Sequence, residues 1–264
     1  MNIDLTGRTA LVSGSTQGIG FAIAEGLARA GATVVVNGRD QERTKAAAGR
    51  IAARVPGAGL LPVAADLATA EGAETVHAAA PDLDILVNNL GIFGVKPALE
   101  IDDDEWRHYF EVNVLSAVRL IRTYLPGMIH RGWGRVVSIA SDAAVTTTAE
   151  MIHYGMTKTA LLAVDRGFAQ AASGTGVTVN SVMAGPTHTE GVETFVRQLV
   201  GDELPWDEAQ REFMRKYRPT SLLERLIEPE EIANLVVYLS SEHASATTGG
   251  TLRVDGGYVN AILP

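Results

Sequence analysis

The sequence contains no cysteine, which excludes disulfides, thiolate nucleophiles and cysteine-bound metals and fits a reducing compartment. Its six histidines show no HxxxH pair or comparable ligand spacing, so no metal site is expected. Positive charge is also short: 22 Lys and Arg against 31 Asp and Glu leave a formal net charge of −9. That balance opposes nucleic-acid binding, because neutralising phosphates needs a basic surface. No stretch approaches the ~18 apolar residues of a membrane span. The opening MNIDLTGRTALV carries Asp4 and has no basic segment ahead of a long apolar one, so a soluble, cytoplasmic protein without a membrane partner is expected. Fixed-period repeats, low-complexity tracts and linkers are absent. What is there, 264 residues of which 46% are hydrophobic, suits a single domain over 1–264 with a sizeable core.

Short apolar runs rich in β-branched residues recur at 9–14, 33–38, 60–66, 84–89, 135–141, 177–183 and 251–257, each closed by Gly, Asn, Asp, Ser or the end of the run. They read as strands. Between them lie helix-length segments at 18–30, 40–54, 69–79, 102–130, 154–173 and 229–240. Near-continuous apolar strands alternating with helices predict an α/β fold: one doubly wound (Rossmann) domain, its parallel seven-stranded sheet covered by helices on both faces.

The first strand runs into SGSTQGIG at 13–20, which opens a helix and is followed by a second strand. In that setting backbone N–H groups and a helix N-terminus can meet a pyrophosphate. Gly14 permits the sharp turn, Gly18 the approach of a ligand, and Gly20 the tight packing of the helix.

The spacing GxxxGxG resembles the short-chain dehydrogenase/reductase family, whose usual form is TGxxxGxG, with Ser13 here in the Thr position. The resemblance continues in ADL (65–67), NNLG (88–91), NVL around Asn113, and SIAS ahead of YGMTK. It implies cofactor contacts from Gly14, Ser15, Gln17, Gly18, Ile19, Gly20, Asp66, Leu67, Asn89, Gly91, Tyr154, Lys158, Gly185, Thr187 and Thr189. It also implies a catalytic set of Asn113, Ser141, Tyr154 and Lys158, with no metal.

Tyr154 and Lys158 are four apart, so on a helix they share one face. An ammonium beside a phenol is expected to stabilise phenolate and lower the tyrosine pKa. Ser141 ends a strand, where ligand crevices open in α/β folds, and its distance from Tyr154 matches the family's spacing. The resemblance then implies hydride transfer to a substrate carbonyl, with Tyr154 protonating the forming alkoxide and Ser141 donating to the same oxygen. Lys158 would hold the tyrosine acidic and contact the ribose. Asn113 would place a water linking Lys158 to solvent, or else simply bond to nearby backbone. Ser138 reads as buried scaffold. His153 is expected to face away from the tyrosine's target, which argues against a hydrolase triad.

At the end of the second strand the family's acidic residue is replaced by Gly38, followed by Arg39. A guanidinium there favours a 2′-phosphate, hence NADP over NAD. The counter-reading makes Asp40 an NAD selector, although Asp40 more simply caps the next helix. An NAD-dependent dehydrogenase working oxidatively and a non-catalytic dinucleotide sensor are the alternatives to a carbonyl reductase or alcohol dehydrogenase.

AGPTHTEG places Ala184 on the family's Pro, with Gly185 and Thr189 matching and Pro186 added; Leu90 replaces a small residue of NNAG. Segment 186–228 lacks a strand and carries Val192, Phe195, Val196, Leu199, Trp206, Phe213, Met214 and Tyr217, spaced as one or two amphipathic helices broken by GDELPW. It reads as a substrate lid with Gly185 and Gly191 as possible hinges, oligomer contacts being the competing use. Its aromatic content favours a bulky, partly apolar carbonyl or alcohol substrate. The C-terminal TGGTLRVDGGYVNAILP resembles the tail that packs across a tetramer axis in many family members, which implies a homotetramer.

Overall fold

The computed structural model describes residues 2–262; Met1 and the end of the C-terminal tail, Leu263 and Pro264, lie outside the described residues. The strands are β1 (Thr9–Val12), β2 (Thr33–Gly38), β3 (Leu60–Ala64), β4 (Ile85–Asn88), β5 (Gly134–Ser141), β6 (Val177–Ala184) and β7 (Thr251–Val254). All pair in parallel, in the order β3-β2-β1-β4-β5-β6-β7. Alternation explains their continuous hydrophobicity. Ala10, Val12, Val34, Val36, Ile85 and Val87 enter the core on one face, whereas Leu11, Val35 and Leu86 enter the core on the other.

Helices α1 (Gly18–Arg29), α2 (Gln41–Arg54) and α9 (Pro229–Leu239) supply the first core; α3 (Ala70–Ala79), α5 (Ser116–Arg131) and α6 (Ile152–Ala171) supply the second. Local chemistry sets their starts. Asp40 and Thr69 accept from the backbone N–H of Arg43 and Gly72 at 2.8 and 3.0 Å, and Pro229 opens α9 behind a Glu228–Glu231 capping box.

The segment predicted as one helix over 102–130 is interrupted. Helix α4 (Asp103–Phe110) passes into a π turn at Glu111–Leu115 before α5. The wider turn carries Asn113 at its centre, and its carboxamide bonds across to Ile92 and Thr157. The connection from β1 leads to β2 on one side and that from β4 leads to β5 on the other, so the strand order reverses between β1 and β4 and a crevice opens at their carboxyl ends.

Segment 186–228 contains α7 (Glu190–Val200) and α8 (Trp206–Tyr217), separated at Gly201, φ +95°. All eight of its anticipated apolar residues join one small core around Val196, Phe213, Met214 and Leu226, distinct from those of the sheet. The ends of the segment are tied together: His188 N–H donates to Ile227 O and Ile227 N–H to Pro186 O, each at 2.8 Å. No helix among the described residues is long and apolar enough to cross a membrane.

Candidate active site

The turn after β1 is left-handed at Gly14 (φ +62°) and again at Gly18 (φ +57°), where α1 begins. A Cβ on Gly20 would lie 2.5 Å from Gly14 O and closer still to Asn89 Nδ2, so only glycine lets the helix sit this close. The first N–H groups of α1 have no side-chain cap from Gln17, and no acid occupies the first turn. These open donors suit an anion.

Four side chains fix the turn. Ser13 Oγ accepts from the N–H groups of Asn89 and Leu90, both at 2.9 Å, while Asn89 Nδ2 donates to Ser13 O and Gly14 O at 3.0 Å. Asn37, buried in β2, accepts from Gly14 N–H at 3.1 Å and donates to Val63 O and Ala65 O. Sequence reading missed Asn37; the only signal was a polar residue inside VVVNG. Arg50 of α2 adds a bond to Thr16 O at 2.6 Å.

Ser141, Tyr154 and Lys158 converge on the same crevice, as their spacing predicts. Ser141 Oγ donates to Asp142 Oδ1 at 2.8 Å and accepts from Ala143 N–H at 3.2 Å. Lys158 Nζ donates to Ile139 O at 2.8 Å and stands 5.8 Å from the Tyr154 ring centroid. Burial holds the Lys158 pKa down at about 8. The tyrosine differs from expectation: desolvation pushes its hydroxyl above the usual phenol range, against the pull of the Ser141 hydrogen bond. The ammonium is bound to the Ile139 carbonyl rather than aimed at the phenol oxygen, so loss of solvent dominates.

Helix α6 is pinned from below. Asp165 accepts from Ser138 Oγ at 2.9 Å and Ser181 Oγ at 2.6 Å, which makes Ser138 a scaffold residue. Burial raises the Asp165 pKa to about 7. His153 turns away from the crevice: it is 0% exposed, its ring centroid 4.1 Å from that of Tyr109 and its Nε2 3.7 Å from Glu105.

A cavity of about 560 Å³ joins these parts. Gly14, Gln17, Gly18, Ile19, Gly20, Asn89, Gly91, Ser141, Tyr154, Lys158, Gly185, Thr187 and Thr189 line it. Five anticipated residues do not. Ser15 bonds Asn37 N–H through its hydroxyl, Leu67 is packed in the second core, and Asp66 turns its carboxylate onto Ala68 N–H. Arg39 is exposed beyond β2. Asn113 lies behind Gly91, whose added Cβ would be 3.4 Å from Asn113 Oδ1 and 3.3 Å from Lys158 Nζ.

Segment 186–228 forms one wall through His188, Val192, Phe195 and Phe213. Thr189 caps α7, and its methyl would lie 3.3 Å from a Cβ on Gly18. Gly185 packs closely on the residue after β7: a Cβ there would lie 2.7 Å from Asp255 Cα. Asp142 and Arg218, which sequence reading gave no binding role, also face the cavity.

The cavity runs from the glycine turn to Tyr154, and the open N–H groups of α1 at one end of it could hold the phosphates of a dinucleotide. No cluster of three or more potential metal ligands occurs among the described residues. A family model described as enoyl-(acyl carrier protein) reductase matches residues 14–259. The "uncharacterized oxidoreductase YvaG" of Bacillus subtilis (strain 168) is 50% identical over 264 residues, 100% of each chain. The 3-oxoacyl-[acyl-carrier-protein] reductase FabG of Aquifex aeolicus (strain VF5) is 35% identical over 97% of this chain and 99% of its own. Among solved structures, L-sorbose reductase from Gluconobacter frateurii, complexed with NADPH and L-sorbose, superposes with a TM-score of 0.92 at 33% identity, covering 99% of this chain and 100% of that one.

Proposed function

Because the chain belongs to the short-chain dehydrogenase/reductase family, we propose that this oxidoreductase interconverts a carbonyl compound and the corresponding secondary alcohol with NADP(H). The observation that carries the reading is the convergence of Ser141, Tyr154 and Lys158 on the cavity that the glycine turn opens. When bound, a nicotinamide dinucleotide supplies or accepts the hydride. The protein's own groups control the proton. Tyr154 delivers its phenolic proton to the forming alkoxide, and its raised pKa keeps that proton in place until the oxygen gains charge. Ser141 donates to the same oxygen, exchanging its bond to Asp142 for one to substrate. Lys158, still mostly charged at neutral pH with a pKa of about 8, balances the phenolate left behind. Asn113 acts from behind the wall by bracing Ile92, and thus the backbone beside Lys158.

The absence of an acid at the end of β2 supports NADP over NAD. Gly38 stands there, Arg39 follows without an ion pair among the described residues, and Asp40 is engaged in capping α2. Arg39 is the residue proposed to hold the 2′-phosphate, and the backbone around Asp66 and Leu67 to border the adenine. The family reading carries with it a homotetramer, which sedimentation velocity tests. The enzymatic reading is tested by assaying ketones, 3-oxoacyl thioesters, quinones and sugars with NADPH and NADH. NADPH-dependent reduction of at least one class is expected; a preference for NADH throughout transfers the ribose to Asp40, and no turnover of any class removes the enzymatic reading.

A further inference from the structure

Arg218, just beyond α8, lines the substrate half of the cavity together with Ser141, Asp142, Tyr154 and Phe213. Its guanidinium lies 5.6 Å from the Phe213 ring centroid and 5.2 Å from that of Tyr258, so two aromatic side chains brace it. Nη1 donates to Tyr217 O at 2.8 Å. Nε is buried with no acceptor, and Nη2 has no acceptor among the described residues. Those two nitrogens form one edge of the fork, the edge that takes a carboxylate bidentately.

The neighbouring acids leave that edge free. None of the ion pairs among the described residues includes Arg218. Asp142 spends Oδ1 on Ser141, and its Oδ2 is buried without a partner. Its burial favours the neutral acid more strongly than the charge of Arg218 favours the carboxylate. Asp255 is taken up by the N–H groups of Gly257 and Val259, at 3.1 and 3.0 Å. A cation held in a partly apolar wall, with Nη2 unfilled and the buried Nε behind it lacking an acceptor, is incomplete as a structural ion pair and is open at Nη2 to a ligand's anionic group.

We infer that Arg218 determines specificity by anchoring a carboxylate carried on the same substrate molecule as the carbonyl presented to Tyr154 and Ser141. The inference deepens the proposed reaction and rests on it. The apolar side chains of Phe93, Phe195 and Phe213, which line the same cavity, pack against the carbon chain between the two groups. An aromatic-braced arginine that merely ties α8 to the C-terminal segment would not discriminate between an acid and its ester.

The test compares kcat/KM for oxohexanoates with the oxo group at successive positions and for their methyl esters, using NADPH and the full chain. At least one acid is expected to exceed its ester by about 10- to 100-fold, chiefly in KM. Arg218→Gln should collapse that ratio toward one, and Arg218→Lys should retain part of it, since an ammonium keeps the charge and loses the fork. Esters equal to acids in the wild type overturn the inference, as does Arg218→Gln lowering both alike. The wild-type comparison decides the matter should the glutamine variant not fold. Calorimetric titration of the enzyme with hexanoate and hexanamide in the presence of NADP separates the two readings. Hexanoate binding without turnover of any carbonyl keeps the anchor and removes the hydride transfer; ester turnover with no preference for acids does the reverse.

Discussion

Tyr154, the proposed proton donor, has its pKa raised by desolvation, with no compensating pull from its lysine neighbour. Replacing it with phenylalanine removes the proton and little contact surface. Tyr154→Phe is expected to lower kcat by roughly 10²- to 10⁴-fold while NADPH affinity, read by fluorescence titration, stays near the wild-type value; substantial residual activity would take Tyr154 out of the mechanism. For Arg39→Ala, binding of NADPH should weaken by about one to two decades and NADH binding much less, since only NADPH presents a 2′-phosphate. Equal losses would return the question to Asp40. The Tyr154–Lys158 pair and its relation to Ser141 were legible because a helical interval and a strand end fix where such residues go. Asn37, Asp142 and Arg218 were not. Their partners lie in other elements, Asn37 across β3 and the glycine turn and Arg218 beside the tail residue Tyr258, and no local spacing records such contacts.

The elements carry their own tests. In the glycine turn, Gly20→Ala drives a methyl into Gly14 O and Asn89, and overpacking of this kind costs typically 1–3 kcal/mol. Lower stability together with weakened cofactor binding is the expected result, measured by urea unfolding and NADPH titration. Beneath α6, Asp165 has its pKa raised to about 7, above its unfolded value near 4. Its contribution to stability is therefore full below about pH 4 and is lost as pH rises through about 7. Asp165→Asn should flatten the fall in unfolding free energy across that window by up to about 1.4 kcal/mol per pH unit; parallel curves for variant and wild type would show that this carboxyl does not titrate there. Strands and most helices were legible from period and turn residues. The π turn at Glu111–Leu115 was not, because what accompanies it is the bonding of Asn113 to Ile92, a residue on another loop.

Across the whole molecule, the sheet and its two cores form one packed body, and the segment 186–228 carries a third core of its own. A wall with separate packing can move as a unit. Limited proteolysis should cut between 186 and 228 in the free protein and be suppressed when NADP and substrate are bound together. Equal cleavage in both states, or none in either, would make the segment fixed scaffold. Its helical content was legible in the sequence as amphipathic spacing around GDELPW. The joining of its ends was not, since one backbone pair between distant residues leaves no pattern in composition.

That joining sets how readily the segment can change. Pro186, His188 and Ile227 close it at a two-bond neck, and Thr220, Leu222 and Leu223 bond it to Tyr258 and Gly256 beyond β7, so whatever lies between answers to these ties and to its own small core before it answers to the sheet. Closing a longer or shorter loop through such a neck alters the chain entropy only logarithmically, by about 0.6 kcal/mol per doubling. The neck therefore behaves as a socket: helices of other lengths and side chains could be seated there, redrawing that wall of the cavity while Tyr154, Lys158 and the glycine turn keep their places.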